Sequence, residues 1–250
     1  MYIIDTDDIL IGEKIVSGYY GDIYRSLYGA TEYALKLYKN PSMFFDKDME
    51  DKLSDLSGLH LNHSLFPWAF IKEEGKTIGY MSTLVDYRTF DFLESYSSSH
   101  KIDILRKAKN YLIELNNNDV IHADIHKGNI LLRDELIIDF DNCFYKEYKP
   151  NYDLLSYSSR EFIMKYGVSK DLDVYSFNMM TYGILNNIKT GDIEENLAYK
   201  NYGVFTSDDS IKICKSLLLE DKIFNNEFLI DYIDDNNNVE NKGYIKKMYK

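Results

Sequence analysis

The sequence predicts an α+β fold in which most of the strands precede most of the helices. Segments that alternate between apolar and polar residues fall within the first 84 of the 250 residues. Farther along, apolar residues recur at helical spacing, most clearly over residues 101–116 and again over residues 171–184. A chain of this length can bury a substantial core and form one or two compact lobes.

The composition excludes some classes of function. With 29 Lys and Arg against 41 Asp and Glu, the chain carries a net charge of −12, whereas a protein that binds duplex nucleic acid needs a basic surface. No apolar run approaches the length of a membrane span and the first residues lack a signal-peptide pattern, so we expect a soluble protein without a membrane partner. Cys143 and Cys214 are too few for a disulfide framework. A cytoplasmic setting is the default, with an effector role elsewhere left open.

The first strand candidates, residues 9–16 and 33–38, flank two glycines spaced three apart. Gly18 and Gly21 can form a turn whose backbone N–H groups approach phosphate oxygens. Lys36 lies in the second of these strands. Taken alone, the glycine pair fits a plain hairpin at least as well, and Lys36 fits a solvated strand lysine. Their significance depends on the residues that follow.

A helix and two more strands complete the first part of the predicted fold. Residues 44–59 can form a helix with Met49, Leu53 and Leu56 on one face. Residues 66–70 and 77–84 alternate as strands, joined by a Glu-Glu-Gly-Lys turn. The expected product is a five-stranded antiparallel sheet with one helix.

The stretch from His122 to Asp141 carries the clearest chemistry. Asp124 stands five residues before Asn129, and Asp139 follows after an apolar run. One carboxylate can orient a hydroxyl nucleophile, while an amide and a second carboxylate hold magnesium against phosphate groups. This set of residue types predicts phosphoryl transfer.

Taken in order, these motifs resemble those of the protein kinase-like superfamily. The matching series is a glycine loop, A-x-K, H-x-D-x-x-x-x-N, D-F-x and D-V-x-S-F, and it covers roughly residues 10–185. The resemblance implies a bilobal fold in a single kinase-like domain. The sheet and its helix would form an N-lobe of about residues 1–84, a hinge would follow at about 82–87, and a mostly helical, trimmed C-lobe would span about 88–250.

The resemblance also implies ATP as a substrate, Mg²⁺ as the metal and a role for each matching residue. Asp124 would orient the substrate hydroxyl, Lys36 would bridge the α- and β-phosphates, and Asn129 and Asp139 would bind the metal. Glu50, on the helix, would fix Lys36, although Asp46 or Asp51 could substitute and Glu50 could simply be solvated. The implied nucleotide-binding set consists of Gly18, Gly21, Ile23, Ala34, Lys36, Glu50, Met81, Leu84 and Leu131.

Within that set, four apolar positions would surround the adenine ring. Ile23, Ala34 and Leu131 would sandwich it, and Met81 would guard the back of its pocket. Backbone groups near Leu84 would pair with the adenine edge. His122 is expected to organise the backbone beside Phe140 without doing chemistry.

Three residues depart from the common protein kinase pattern. Ala123 replaces the arginine of H-R-D, which normally pairs with an activation-loop phosphate, so we expect activity without that phosphorylation. His126, two residues after Asp124, and Asp141, in place of the glycine of D-F-G, are closer to aminoglycoside and choline phosphotransferases. His126 either contacts phosphate or is a loop histidine. Asp141 either adds a carboxylate near the metal or is a solvated loop residue, and Lys127 could supply a positive charge.

The downstream sequence favours a protein kinase instead. Residues 171–180 resemble the start of the central helix of protein kinases, where Asp173 would tether the catalytic loop through its backbone. Ser159-Arg160-Glu161 occupies the place of A-P-E. Further helix candidates lie near residues 193–200, 207–220 and 226–233.

The combined prediction is a compact, bacterial-type Ser/Thr protein kinase that uses ATP and acts on a protein substrate. The first alternative is a small-molecule kinase that phosphorylates a hydroxyl of an antibiotic or sugar, because an acidic cleft suits cationic aminoglycosides. The second is a pseudokinase that acts as a binding module. The presence of Lys36, Asp124, Asn129 and Asp139 argues against the second alternative.

Overall fold

The fold is described from a computed structural model of the chain. The description covers residues 1–86, 88–150, 152, 155–188, 205, 208–219 and 227–233. The helix expected near residues 193–200 lies outside these residues, as does Tyr87 in the expected hinge. Among the residues described, no helix combines the length and the apolar character that crossing a membrane requires.

Six strands form one mixed sheet in the described part of the chain. They are β1 (Tyr2–Asp5), β2 (Leu10–Ser17), β3 (Gly21–Tyr28), β4 (Thr31–Tyr38), β5 (Ala69–Glu73) and β6 (Lys76–Thr83). The order across the sheet is β1-β5-β6-β4-β3-β2, and β1 runs parallel to β5 while the other neighbours are antiparallel. The expected five-stranded antiparallel sheet was therefore wrong at one edge. In β1 only Ile4 is buried, so this short strand offers little alternation to detect.

The two faces of the sheet pack against different clusters. Side chains alternate between faces along a strand, so Leu35 of β4 points away from the face that carries Ala34 and Lys36. Leu35 joins a small cluster of buried residues with Ile4, Ile9, Ala69, Ile71 and Met81. Tyr38 and Tyr80 belong instead to the main core, which also contains the apolar residues of the helices. The Lys36 face therefore looks toward the helical part of the chain.

The described residues form five α-helices, and the positions of the first two agree well with the pattern of apolar residues in the sequence. They are α1 (Lys47–Ser57), α2 (Ser98–Asn117), α3 (Tyr157–Tyr166), α4 (Asp171–Asn186) and α5 (Asp208–Leu219). Helix α1 begins after Asp46, whose side chain caps it by accepting a hydrogen bond from the Met49 N–H at 2.9 Å. The stripe predicted on α2 is buried as expected: Ile104, Leu105, Ala108, Leu112 and Leu115.

Two short strands pair at the two ends of the segment that carries the catalytic-loop motifs, residues 122–143. β7 (Val120–Ile121) and β8 (Phe144–Tyr145) pair antiparallel, so residues 122–143 form a long excursion whose two ends are held together. This segment contains Asp124, Asn129 and Asp139. The pairing therefore restricts where the three polar side chains can lie.

Helix α4 forms the centre of the helical part and is buried on nearly all sides. Its Asn178 is fully buried, donates to the Glu227 carbonyl at 3.0 Å and accepts from the Leu229 N–H at 2.8 Å. Of the helix expected near residues 226–233, the described residues form a short 3₁₀ helix at Leu229–Tyr232. The side chain of Asn178 satisfies the Leu229 N–H at the start of this 3₁₀ helix.

We predict that Asn178→Ala lowers the free energy of unfolding by about 1–3 kcal/mol, because it leaves a buried N–H and a carbonyl without a partner. Urea denaturation followed by circular dichroism measures this change. Asn110→Ala, at an exposed position of α2, is the matched control and should stay within about 0.5 kcal/mol of the original chain. Equal destabilisation by both substitutions would contradict the assigned role of Asn178.

Candidate active site

Asp173, in the first turn of α4, holds the start of the motif-bearing segment. Its Oδ1 accepts from the Ala123 N–H and its Oδ2 from the His122 N–H and the Asn116 amide, each at 2.8 Å. These bonds confirm the tether expected from the sequence. Burial raises the pKa of Asp173 above its ordinary value, although the His122 ring and the hydrogen-bond donors oppose the shift. Ala123 is held at a φ of 62°, a conformation that non-glycine residues seldom adopt.

His122 organises the backbone on the other side of the segment. Its Nε2 donates to the Ile138 carbonyl at 2.8 Å, and its Nδ1 accepts from the Asp124 N–H at 3.3 Å. Its ring lies 5.0 Å from that of Phe140, measured between ring centroids. The expected structural role of His122 is therefore confirmed, and it joins the loop of Asp124 to the strand-like segment before Asp139.

Asp124 and Asn129 face each other across that loop. The Asn129 side-chain amide donates to the Asp124 carbonyl at 3.0 Å and to its carboxylate Oδ2 at 3.3 Å. Because the amide nitrogen faces Asp124, the amide oxygen remains for another ligand. The Asp124 side chain is partly exposed, which leaves it accessible to a substrate hydroxyl.

Asp139 lies beside Asn129, because the Ile138 N–H donates to the Asn129 carbonyl at 3.0 Å. Asp139 has a φ of 65° and a partly exposed side chain. An amide oxygen and a carboxylate are ligands that suit Mg²⁺. No group of three His, Cys, Asp or Glu side chains in the described residues could hold a metal. The Asn129 amide oxygen and the Asp139 carboxylate could hold a magnesium ion, which would take its remaining ligands from phosphates and water.

Lys36 of β4 reaches the same segment from the sheet. Its Nζ lies 2.6 Å from Asp139 Oδ1 and 2.6 Å from Asp141 Oδ2. Burial lowers the pKa of Lys36, but the charges of the two carboxylates more than offset burial and raise it well above its ordinary value. Burial raises the pKa of Asp139, but the charge of Lys36 outweighs it and lowers that pKa. The structure thus brings together the lysine and the predicted metal ligand.

The expected pairing of Glu50 with Lys36 is wrong in this structure. The Glu50 carboxylate accepts a hydrogen bond from the Thr77 hydroxyl and lies 3.8 Å from Lys72 Nζ. On α1 the buried positions are Lys52, Leu53 and Leu56, and Glu50 instead contacts side chains of β5 and β6. The two named substitutes do not replace it, since Asp46 caps the helix and Asp51 is exposed.

Lys52 is the charged residue that α1 directs inward, and the sequence analysis missed it. It is buried, and its Nζ donates to the Asp141 carbonyl at 2.6 Å and the Cys143 carbonyl at 3.4 Å. Lysine is seldom buried without a specific partner. Its position one residue before the apolar Leu53 was the available signal.

Asp141 is buried, so the interpretation of a solvated loop residue was wrong. Its Oδ2 accepts from Lys36 Nζ and from the Tyr38 hydroxyl. Among the described residues its Oδ1 has no hydrogen-bond partner. Burial raises the pKa of Asp141 and the nearby Asp139 charge adds to this, against the opposing effect of Lys36. Tyr38 is a second residue that the motifs did not identify.

Met81 does not lie where the sequence placed it. It pairs with Leu35, whereas Tyr80 pairs with Lys36 and Ser82 pairs with Ala34. Cross-strand partners project from the same face of a sheet, so Met81 joins Leu35 in the small cluster on the opposite face. Tyr80 and Ser82 occupy the face that Met81 was expected to line. Counting residues from the motifs does not determine which face of β6 a side chain occupies, because a shift of one residue moves every side chain of the strand to the opposite face.

The other predicted nucleotide-binding residues lie around Lys36. Ile23 pairs with Lys36 across β3 and β4, and Ala34 lies two residues before Lys36 on the same face. Leu131 is buried and forms a bridge with Thr89, and Leu84 directly follows β6. Their roles toward a nucleotide stay predictions.

The two glycines form the tight turn that the sequence predicted between β2 and β3. The Gly18 N–H donates to the Gly21 carbonyl at 2.8 Å, and Lys39 Nζ donates to the Gly18 carbonyl at 2.7 Å. A Cβ atom at position 21 would lie 2.8 Å from the Leu37 carbonyl oxygen, so only glycine fits against β4 there. The turn is therefore fixed to the strand that carries Lys36.

The two basic residues that follow Asp124, His126 and Lys127, have different surroundings. His126 Nδ1 accepts from the Gly128 N–H at 3.0 Å, and its Nε2 lies 3.8 Å from Asp124 Oδ2. Lys127 Nζ lies 3.6 Å from carboxylate oxygens of both Asp91 and Glu94. His126 is thus the residue of the two that faces Asp124, and Lys127 is directed toward acidic residues outside the site.

We predict that Asp173→Asn lowers the free energy of unfolding by about 2–3 kcal/mol, because an amide NH₂ would face backbone N–H donors. Urea denaturation measures the loss. Asp171→Asn, in the same helical turn and partly exposed, should change the stability by less than about 0.5 kcal/mol. A Asp173→Asn chain as stable as this control would show that the tether is not needed for folding.

Comparisons with known proteins give distant matches. No protein-family model matches the chain. The "Probable serine/threonine-protein kinase gdt2" of Dictyostelium discoideum is 28% identical over 208 residues, which cover 74% of this chain and 12% of that protein. Two proteins of the same organism, each named "Probable LIM domain-containing serine/threonine-protein kinase", are 25% and 23% identical over 195 residues.

The chain corresponds to only part of these relatives. The two LIM domain-containing proteins match 72% of the chain, and the matches cover 20% and 30% of their own lengths. The chain thus spans less than a third of the length of each curated relative described. The shared names indicate that the chain is a distant relative of proteins named as serine/threonine protein kinases.

Proposed function

We propose that the chain is an ATP-dependent protein kinase domain that phosphorylates a Ser or Thr hydroxyl of a protein substrate. The observation that carries the proposal is the convergence of four side chains on one site. Lys36 contacts Asp139, the backbone before Asp139 is bonded to Asn129, and Asn129 donates to Asp124. The three relatives described above are Dictyostelium proteins, so the proposal assumes no bacterial lineage.

In the proposed arrangement the sheet part, about residues 1–84, and the helical part, about residues 88–250, form the two lobes of one domain. The nucleotide would lie between them, with its adenine against Ile23, Ala34 and Leu131. Ser82 replaces Met81 as the wall beside Ala34, on the basis of the strand register. Residues near Leu84 would provide the backbone groups that pair with the adenine edge.

The chemistry follows from the orientation of the polar groups. Asp124 accepts a hydrogen bond from the substrate hydroxyl and directs its oxygen toward the γ-phosphorus of ATP. The proton of the hydroxyl passes to the Asp124 carboxylate as the bond to the leaving ADP oxygen breaks. Lys36 binds α- and β-phosphate oxygens. Asn129 and Asp139 would hold Mg²⁺, which neutralises phosphate charge when bound.

A small-molecule kinase is the second candidate, and one observation favours it. His126 lies 3.8 Å from Asp124, in the H-x-D-x-H arrangement that resembles aminoglycoside and choline phosphotransferases. Against it stands the way α3 meets the catalytic loop. The buried Ser159 hydroxyl donates to the Ala123 carbonyl at 2.7 Å, in the region where protein kinases place A-P-E. We therefore propose a protein as the substrate.

The setting is also a proposal. Cys143 and Cys214 are both free thiols and buried, which is compatible with a reducing compartment. We propose a cytoplasmic kinase whose partners are ATP and its protein substrate. The net charge of −12 argues against nucleic acid as a partner.

We predict that Asp124→Asn lowers phosphoryl transfer by at least about 100-fold, because the amide accepts no proton from the hydroxyl. The assay incubates the chain with Mg²⁺, labelled ATP and either a protein mixture or a panel of hydroxylated small molecules. Asp103→Asn, at an exposed position of α2, should retain the original rate. Label found only in small molecules would favour the second candidate, and ATP binding without any transfer would indicate a pseudokinase.

We also predict that the activity is independent of phosphate on the segment between Asp139 and α3. Ala123 provides a buried methyl group where an arginine would bind such a phosphate. Treatment of the purified chain with a protein phosphatase, followed by removal of the phosphatase, should leave the rate within about twofold. A large loss of the rate would show that another cationic side chain binds an activating phosphate.

A further inference from the structure

In the protein kinases that this chain resembles, a helix glutamate holds the strand lysine in place. Here the carboxylates that contact Lys36 in the described residues are those of Asp139 and Asp141, and none comes from α1. We propose that Asp141 has taken over the positioning of Lys36 for ATP binding. This inference rests on the proposed function, because it assigns a role within the same site.

The two carboxylates beside Lys36 differ in exposure, and this difference separates their roles. The Asp139 side chain is 37% exposed and lies next to Asn129, whereas the Asp141 side chain is 6% exposed. Asp139 is thus accessible to a metal ion and to phosphate groups. Asp141 is enclosed, so we expect its contact with Lys36 to persist when Asp139 takes other ligands.

The Asp141 carboxylate is itself held in place. The Tyr38 hydroxyl donates to the same Oδ2 atom that contacts Lys36. Tyr38 and Lys36 project from one face of β4, two residues apart. The strand therefore fixes both the lysine and the group that orients its carboxylate partner.

Helix α1 carries the complementary change. Its inward charged residue is Lys52, which donates to the backbone carbonyls of Asp141 and Cys143. A cation at this position holds the segment of Asp141 against the helix but cannot pair with Lys36. The carboxylate partner of Lys36, which protein kinases take from the helix, is thus supplied by Asp141 of the loop. The helix in turn supplies the Lys52 cation, which binds the backbone of that loop.

The backbone at Asp141 accepts this exchange without strain. The positive-φ residues of the segment include Asp139 but not Asp141. A glycine is needed only where φ is positive or space is short. The third position of D-F-x is therefore free to carry a side chain here, and that side chain points into the interior rather than into solvent.

The test compares Asp141→Asn with Glu50→Gln in the full chain, with Asp55→Asn as control. Asp55 is an exposed residue of α1 that pairs with Lys146. We expect Asp141→Asn to raise the KM for ATP by about tenfold or more, with a smaller effect on kcat, because Asp139 is then the one charged partner left to Lys36 among the residues described. Glu50→Gln and Asp55→Asn should stay within twofold. An equal loss for Glu50→Gln, or a KM unchanged by Asp141→Asn, overturns the proposal.

A double-mutant cycle separates positioning from a merely structural role. The affinity for Mg·ATP is measured by calorimetry for Lys36→Met, Asp141→Asn and the combined variant. If Asp141 acts through Lys36, the second substitution adds less than about twofold to the first. Fully additive losses overturn the proposal. Tyr38→Phe, which removes one hydroxyl, should shift the affinity in the same direction and replaces Asp141→Asn in the cycle if thermal melting shows that variant to be unfolded.

The failure of this inference can be told apart from failure of the proposed function. If the original chain transfers no phosphate but its Mg·ATP affinity depends jointly on Lys36 and Asp141, the proposed function fails and the inference stands. If transfer occurs and the two losses are additive, only the inference fails.

Discussion

The ion contacts of Lys36 with Asp139 and Asp141 connect the sheet to the segment that carries the catalytic motifs. The partners are 103 and 105 residues apart in sequence. Burying a charge is costly unless it is paired and hydrogen-bonded, so this arrangement can form only if the strand places the lysine accurately. Gly79 of β6 contributes to that placement, because a Cβ atom there would lie 2.1 Å from the Lys36 carbonyl oxygen. The position of the lysine thus depends on a glycine in the neighbouring strand.

The catalytic segment contains unfavourable backbone conformations at two of its motifs. Ala123 and Asp139 both have φ values above 60° without being glycine. Such residues cost about 1–3 kcal/mol each and persist where surrounding contacts compensate. Here Asp173 binds the Ala123 N–H and Lys36 binds the Asp139 carboxylate. Each unusual backbone conformation is therefore held by a buried charge or a charge pair supplied by another element.

The sequence predicted which polar residues come together better than it predicted the directions of individual side chains. Motif spacing identified Asp124, Asn129 and Lys36, because phosphoryl transfer constrains residue types and order along the chain. It did not identify the face of β6 that carries Tyr80 rather than Met81, because that depends on a strand register fixed only by pairing. Glu50 and Asp141 were misplaced for a related reason. Which charged side chain of a helix is buried depends on the partner available in the interior. For Lys52 of α1 that partner is the Asp141 carbonyl, which is far away in sequence.

Positive and negative side chains alternate around the site, in the order Lys52, Asp141, Lys36 and Asp139. This series explains why Glu50 does not pair with Lys36 and why Asp141 stands where protein kinases have a glycine. Lys52 binds the backbone at Asp141, the Asp141 carboxylate binds Lys36, and Lys36 binds Asp139 at the exposed end. In this series α1 is attached to the loop through a carbonyl and contributes no carboxylate to Lys36. Displacement of the helix would therefore not break the lysine pair directly. Together with Ala123, which offers no charge to an activating phosphate, the series describes a site in which Lys36 has its carboxylate partners without a contribution from α1.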